Sequence, residues 1–184
     1  MRAAADVFRE LGATVVEATP AIGNPIEPYY VLVRLAARAI VDAVPAARRQ
    51  LLEGVLRKDA ADADRHSGMD VKYAEMEQRR LGAVMAAFFG DHDILLTATT
   101  AVPPFPVGLD DPDGGKRTDL QWTGTLFPFN ITRLPAASVP CGRTASGLPI
   151  GLHLVGARYD DATVLRAAAA YEAAGPGIGR PPLA

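Results

Sequence analysis

Hydrophobic positions recur at helical spacing from the start of the chain: Ala4, Val7, Phe8 and Leu11 share one side of a helix over Arg2 to Leu11. Gly12 stands where helices commonly stop in a left-handed cap. The short β-branched stretch Ala13 to Ala18 reads as a strand, so the chain opens inside a helix–strand step of an α/β fold. Pro20, Gly23-Asn24-Pro25 and Pro28 mark a loop. From Tyr29 to about Val44 the period is helical again, with Val33, Ala36, Ala37 and Ile40 on one face. Pro45 breaks it, and a shorter helix is expected from Ala46 to Leu56. The charged stretch Lys58 to Gly68 reads as a loop or a poorly packed turn.

A long helix is expected from an N-cap at Asp70 to Phe89 or Gly90, with Tyr73, Met76, Leu81, Val84, Met85 and Phe88 recurring at its apolar period. Asp93 to Thr97 follows as a short apolar strand, and Val102 to Gly115, rich in Pro, Gly and Asp, as a long loop. Leu120 to Ile131 reads as a short helix broken at Pro128. Two strands, Ala136 to Cys141 and Ile150 to Val155, flank the polar turn 143–147 and imply an antiparallel hairpin. The second is apolar on almost every position, as befits a central strand buried on both faces. Asp160 or Asp161 caps a last helix over Ala162 to Ala173, with Val164, Leu165, Ala168 and Tyr171 inward.

Composition narrows the function classes. With 49% hydrophobic and 22% charged residues the chain is of the soluble globular kind. No apolar run approaches the ~20 residues that cross a bilayer. Asp6, Arg9 and Glu10 interrupt any signal-peptide core, so a cytoplasmic location is expected. The net charge is −2, and the arginines are scattered among acids rather than gathered on one face, which argues against a nucleic-acid partner. Cys141 is the single cysteine, and His66, His92 and His153 lie far apart, so neither a disulfide nor a metal site is expected.

Three strings carry a resemblance. "DILLTATTAVPPFPVG", "FPFNITRLPAASVPCG" and "GLPIGLHLVGARYDDATVLRAAAAYE" occur in that order and together resemble the closing third of amidase-signature enzymes. "FRELGATVVEA" and "YAEMEQRRLGAVMAAFF" resemble earlier steps of the same family more loosely. The resemblance implies the carboxyl-terminal portion of that fold across 1–184: a partial three-layer α/β/α arrangement with part of a mixed sheet, helices on both faces and no metal or organic cofactor. It implies hydrolysis of small or medium carboxamides by a Ser nucleophile, activated through a second, cis-peptide Ser by a Lys base. A weak hydroxyl needs such a base and an oxyanion hole.

The family places that triad in a Gly/Ser-rich stretch upstream of everything in this chain. Here the only serines are Ser67, Ser138 and Ser146, the only lysines Lys58, Lys72 and Lys116, and no Ser-Ser pair exists. The expected catalytic set within these residues is therefore empty, and the chain by itself is expected to be inactive.

Candidate binding residues follow from the resemblance. Trp122, Thr123, Phe127 and Asn130 correspond to a segment beside the family's acyl pocket; packing of Trp122 and Phe127 into the core is the competing reading. Arg79 and Arg80 fall where some members hold a substrate carboxylate, against the ordinary reading of exposed helical arginine. Glutamine-using members, which feed transfer-RNA amidation, carry an acidic residue near Thr123; the neutral Thr weakens an amidotransferase A-type reading, which stays as an alternative. Cys141 and His153 read as a small buried hydrophobe and a hydrogen-bonded core histidine, not a catalytic pair. Arg133 replaces a family Gly and would be mildly strained if that position has positive φ; Ala98 replaces a family Pro. A separately encoded amino-terminal half, or a second copy of the chain, is the expected macromolecular partner, because an incomplete sheet leaves an open edge.

Overall fold

In the computed structural model, residues 1–109, 111–112, 121–177 and 179 are described. They form two compact units, one of Met1–Ala21 with Val84–Ala184 and the other of Ile22–Ala83.

The first unit is built on a three-stranded sheet. Strands β1 (Ile94–Ala98), β2 (Ala136–Arg143) and β3 (Pro149–Gly156) lie in the order β1-β3-β2, with β3 antiparallel to both neighbours. The expected hairpin is therefore present, and its second strand is the central one. Register places Thr97 and Ser138 on either side of His153, and Leu96 and Ala137 on either side of Leu154. Because side chains alternate, this divides the sheet into two chemically different faces. Ile94, Leu96, Ala137, Val139, Leu152 and Leu154 form one apolar face; Thr97, Ser138, Gly151 and His153 belong to the other.

Two helices cover the apolar face: α1 (Arg2–Glu10) and α6 (Asp161–Ala174). Ala4, Val164, Ala168 and Tyr171 are buried against Leu152 and Leu154, and Phe8 stacks on Tyr171 with ring centroids 5.6 Å apart. Asp160 is the cap of α6, accepting from the Thr163 N–H at 3.2 Å. Leu165, expected inward, is 65% exposed, because the face of α6 that meets the sheet is set by the 4-then-3 step Val164–Ala168–Tyr171. At the other end of α1, Gly12 has φ 90° and ends the helix as expected.

Where sequence patterning failed, a missing partner explains it. Ala13 to Ala18 has strand composition but no strand pairing, since no neighbouring edge receives it among the described residues. Pro128 does not break a helix. It sits in the first turn of a helix, α5 (Phe127–Thr132), where its missing N–H costs nothing. A single 3-10 turn, Gln121–Thr123, precedes it. In β2 a bulge between Pro140 and Gly142 leaves Cys141 as the extra residue, and Gly142 has φ 149°, a conformation L side chains rarely adopt.

The second unit is helical. α2 (Ile26–Ala43) packs its buried Ala37 and Val41 against α3 (Gly54–Asp62) through Ala60, with Leu52 and Leu56 alongside. Ile40, expected inward, is 52% exposed. The stretch 58–68, expected as loop, is largely helix: α3 continues to Asp62 and a 3-10 turn follows at Ala63–Arg65. Its acids are not merely solvated. Asp59 and Asp62 approach the Arg34 guanidinium at 3.8 and 3.9 Å, and Arg34 also lies over the Tyr30 ring at 4.7 Å. The long helix, α4 (Gly68–Asp91), runs from this unit into the first. Its cap is Ser67 rather than Asp70: the Ser67 hydroxyl accepts from the Asp70 N–H at 3.2 Å, while the Asp70 carboxylate accepts from the Ser67 N–H at 2.7 Å. That is a reciprocal capping box with Asp in the third position. Leu81 and Met85 are fully buried, whereas Tyr73 and Met76 are more than half exposed.

Candidate functional site

The polar face of the sheet converges on one stretch of chain, residues 121–130. Thr99 extends β1 by one more ladder bond, its N–H donating to the Gly151 carbonyl at 3.0 Å. Past it, the Ala101 N–H donates to the Trp122 carbonyl at 3.1 Å, and Phe105 meets the Trp122 ring edge-on at 5.4 Å. The Thr125 hydroxyl donates to the Thr99 carbonyl at 2.8 Å. The Leu126 N–H closes a turn onto the Thr123 carbonyl at 2.7 Å. The end of β1 thus acts as a peg for the 122–126 segment.

Gly151 makes the middle of that face unusually close. A Cβ there would lie 2.5 Å from Thr99 Oγ1 and 2.9 Å from Ser138 Oγ. With no side chain in the way, those hydroxyls meet above the central strand at 2.6 Å. One register step along, His153 is 5% exposed and lies between Thr97 and Ser138. Its Nδ1 is 3.3 Å from Thr97 Oγ1, and the Phe129 ring lies 5.6 Å from its own. Burial holds the imidazole below the ordinary histidine range, while the nearby Thr125 backbone pulls the other way.

Of the candidate binding residues in this unit, Trp122 and Thr123 are half-buried, Asn130 is exposed and Phe127 is 4% exposed. Phe127 is thus a core side chain in the described chain, and the remaining three hold the partly open positions. Arg79 and Arg80 belong to the other unit, both exposed on α4. Arg80 is held by both Glu77 oxygens at 2.6 and 2.7 Å, which pushes the Glu77 carboxyl below its usual range.

Each serine has a structural occupation. Ser67 caps α4, Ser138 pairs with Thr99, and the Ser146 hydroxyl pairs with that of Thr144 at 2.9 Å in the hairpin turn. Lys72 pairs with Glu75 at 3.4 Å, and Lys116 lies outside the described residues. Cys141 packs with the apolar cluster under α6, whereas His153 belongs to the opposite face, so the two do not form a dyad. Burial raises the Cys141 thiol above its ordinary range, away from nucleophilic character. No group of acids, histidines and cysteine that could hold a metal occurs among the described residues. No helix there is long and apolar enough to cross a membrane.

Sequence reasoning placed His153 as a hydrogen-bonded core histidine, and it is one. It missed Thr97, Thr99 and Thr125. The available signal was the alternation in 150–155, which sets His153 opposite Leu152 and Leu154 and so demands polar partners on that face.

Comparison with known proteins agrees with this architecture. A family model described as Amidase matches residues 1–165. An acylamidase of Rhodococcus erythropolis is 33% identical over 95% of this chain, which spans 38% of that protein. The A-type subunit of the glutamyl-tRNA(Gln) amidotransferase of Brevibacillus brevis is 40% identical over 61% of the chain and 23% of its own length. A solved bacterial aryl acylamidase of the amidase-signature family superposes with a TM-score of 0.77 at 26% identity, over 94% of this chain and 39% of that one. The chain thus spans about two fifths or less of the relatives it matches, and it belongs to the amidase-signature family.

Proposed function

We propose that these residues are the carboxyl-terminal portion of an amidase that hydrolyses the C–N bond of small or medium carboxamides, and that they supply one wall of its acyl pocket. The family match over residues 1–165 carries this reading. The engaged serines support its second half: the Ser–cis-Ser–Lys triad lies outside these 184 residues. In such a reaction a serine oxygen adds to the amide carbonyl, the amine leaves with a proton, and water releases the acid from the acyl-enzyme. The part of this chain is positioning. The half-buried Trp122 offers an apolar face to the acyl group, and Thr123 and the exposed Asn130 offer polar groups at its edge. Engagement of Arg80 by Glu77 leaves Arg79 the better candidate for a substrate carboxylate.

No metal or organic cofactor is required by this chemistry, and a cytoplasmic location fits it. A second reading, in which the chain works with a separately encoded amino-terminal half or a second copy, is favoured by the sheet order β1-β3-β2. That order leaves the outer edges of β1 and β2 without a further strand among the described residues. The amidotransferase alternative draws on the similarity to the A-type subunit.

The test is a chimera in which residues 1–184 replace the matching portion of the acylamidase. Turnover of an aryl or alkyl carboxamide, with KM raised in Trp122→Ala and Asn130→Ala, is the expected result. A folded chimera without turnover, or one whose KM ignores both substitutions, contradicts the proposal.

A further inference from the structure

Residues 122–126 carry the half-buried Trp122 and Thr123, yet beyond the single 3-10 turn at Gln121–Thr123 no helix or strand holds them. Two hydrogen bonds tie them to the continuation of β1. The Ala101 N–H donates to the Trp122 carbonyl at 3.1 Å, and the Thr125 hydroxyl donates to the Thr99 carbonyl at 2.8 Å. Thr99 is a firm anchor, because its N–H donates to the Gly151 carbonyl at 3.0 Å and its hydroxyl meets that of Ser138 at 2.6 Å. Between the ties, the Leu126 N–H closes onto the Thr123 carbonyl at 2.7 Å, a four-residue turn with Gly124 and Thr125 at its corner. The first tie is main chain to main chain, and any residue at 122 could make it. The second needs a hydroxyl at position 125. Trp122 and Thr123 lie between these two points, with the Trp122 ring set edge-on against Phe105 at 5.4 Å.

We propose that Thr125 is a positioning residue: its hydroxyl, bonded to the Thr99 carbonyl, seats the Trp122–Leu126 segment on the end of β1. It touches no reacting atom. Its effect reaches a substrate only through the placement of Trp122 and Thr123. That last consequence rests on the pocket-wall reading above, whereas the seating itself does not.

The experiment measures residue-resolved amide hydrogen exchange in the 184-residue protein without substrate, in wild type, Thr125→Val, Thr125→Ser and Thr144→Val. Valine keeps the shape of threonine and lacks the hydroxyl, whereas serine keeps the hydroxyl. Thr144→Val is the control: it removes a hydroxyl that accepts from the Leu148 N–H at 3.0 Å in the hairpin turn. The Ala101 N–H reports the seat, because its acceptor is the Trp122 carbonyl. Loss of the Thr125 bond is expected to speed Ala101 exchange about fivefold in Thr125→Val, with Thr125→Ser and Thr144→Val within about twofold of wild type. Unchanged Ala101 exchange in Thr125→Val overturns the proposal. So does an equal rise in Thr144→Val, which would mark general destabilisation, or in Thr125→Ser. Should Thr125→Val not fold by far-UV circular dichroism, Thr125→Ala decides by the same criteria. In the chimera described above, Thr125→Val should raise KM severalfold and leave kcat within about twofold. A chimera without turnover, beside the selective rise at Ala101, would sink the amidase reading alone. Turnover with KM raised in Trp122→Ala, beside unchanged Ala101 exchange in Thr125→Val, would sink the seating alone.

Discussion

Gly151→Ala puts the packing beneath the candidate site to a quantitative test. The added methyl would lie 2.5 Å from Thr99 Oγ1, 2.9 Å from Ser138 Oγ and 3.0 Å from Thr99 Cβ. Carbon atoms in ordinary contact sit ~3.5–4.0 Å apart, so Thr99 must retreat by about 1 Å. Overpacking of this kind costs about 1–3 kcal/mol. The retreat also stretches the 2.6 Å Thr99–Ser138 bond and the 2.8 Å Thr125–Thr99 bond. Each is worth about 1 kcal/mol net, less for the more exposed pair. A total near 2–4 kcal/mol is therefore expected for Gly151→Ala. Thr99→Ala alone removes one hydroxyl bond and costs about 1 kcal/mol. In the double variant the worst contact is gone and 2.9–3.0 Å contacts remain. The double variant should thus be more stable than the sum of the singles by about 1 kcal/mol or more. Urea unfolding followed by Trp122 fluorescence reads the unit that carries all these residues. Additivity within ~0.5 kcal/mol would refute the geometry of this close approach.

Three further outcomes follow from particular residues. Arg133 ends α5 with φ 55° and ψ 44°, so Arg133→Gly relieves a left-handed cost of about 1–2 kcal/mol, less Gly's unfolded-state entropy; a gain near 1 kcal/mol is expected in urea, and a loss would contradict the strain. The Tyr171 hydroxyl is buried without a hydrogen-bond partner, so Tyr171→Phe should leave stability unchanged or raise it by about 1 kcal/mol; a clear loss would mean the hydroxyl is satisfied in solution. Burial holds the His153 pKa below the ordinary 6.5, so the native state binds fewer protons there than the unfolded state does. The neutral ring's contribution is complete above ~6.5 and lost as pH falls from there through the native value. The stability of wild type relative to His153→Gln should therefore decline below pH ~6.5, and a difference flat from pH ~7 to ~5 would refute the buried neutral ring.

How much of this was legible in the sequence depended on whether a segment's pattern could be read without its neighbours. The hairpin and the long helix α4 were, because alternation and helical period persist there for many residues. Arg133 was reached through the family resemblance, where it stands in place of a glycine and would be strained at positive φ; its φ is 55°. Ala13 to Ala18 was misread because strand composition needs a partner edge to become a strand. The stretch 58–68 was misread as loop because its charges suggested solvent, whereas Arg34 gathers Asp59 and Asp62 from another helix. Trp122, Thr123 and Asn130 were reached only through family resemblance, and Phe127 from the same stretch is core. The threonines on the polar face of the sheet had no local signature at all. Their role exists only in the register of β1 against β3, which brings Thr97 to His153 across 56 residues of chain.

The central claim is that this chain carries a pocket wall and no nucleophile. The measurement that tests it most directly is the intact mass of the 19.4 kDa protein after exposure to a fluorophosphonate serine probe. The account predicts an unlabelled chain, since Ser67, Ser138 and Ser146 are engaged in a cap, a strand pair and a turn. Stoichiometric labelling of any of them would contradict it, and would place a reactive serine inside these residues.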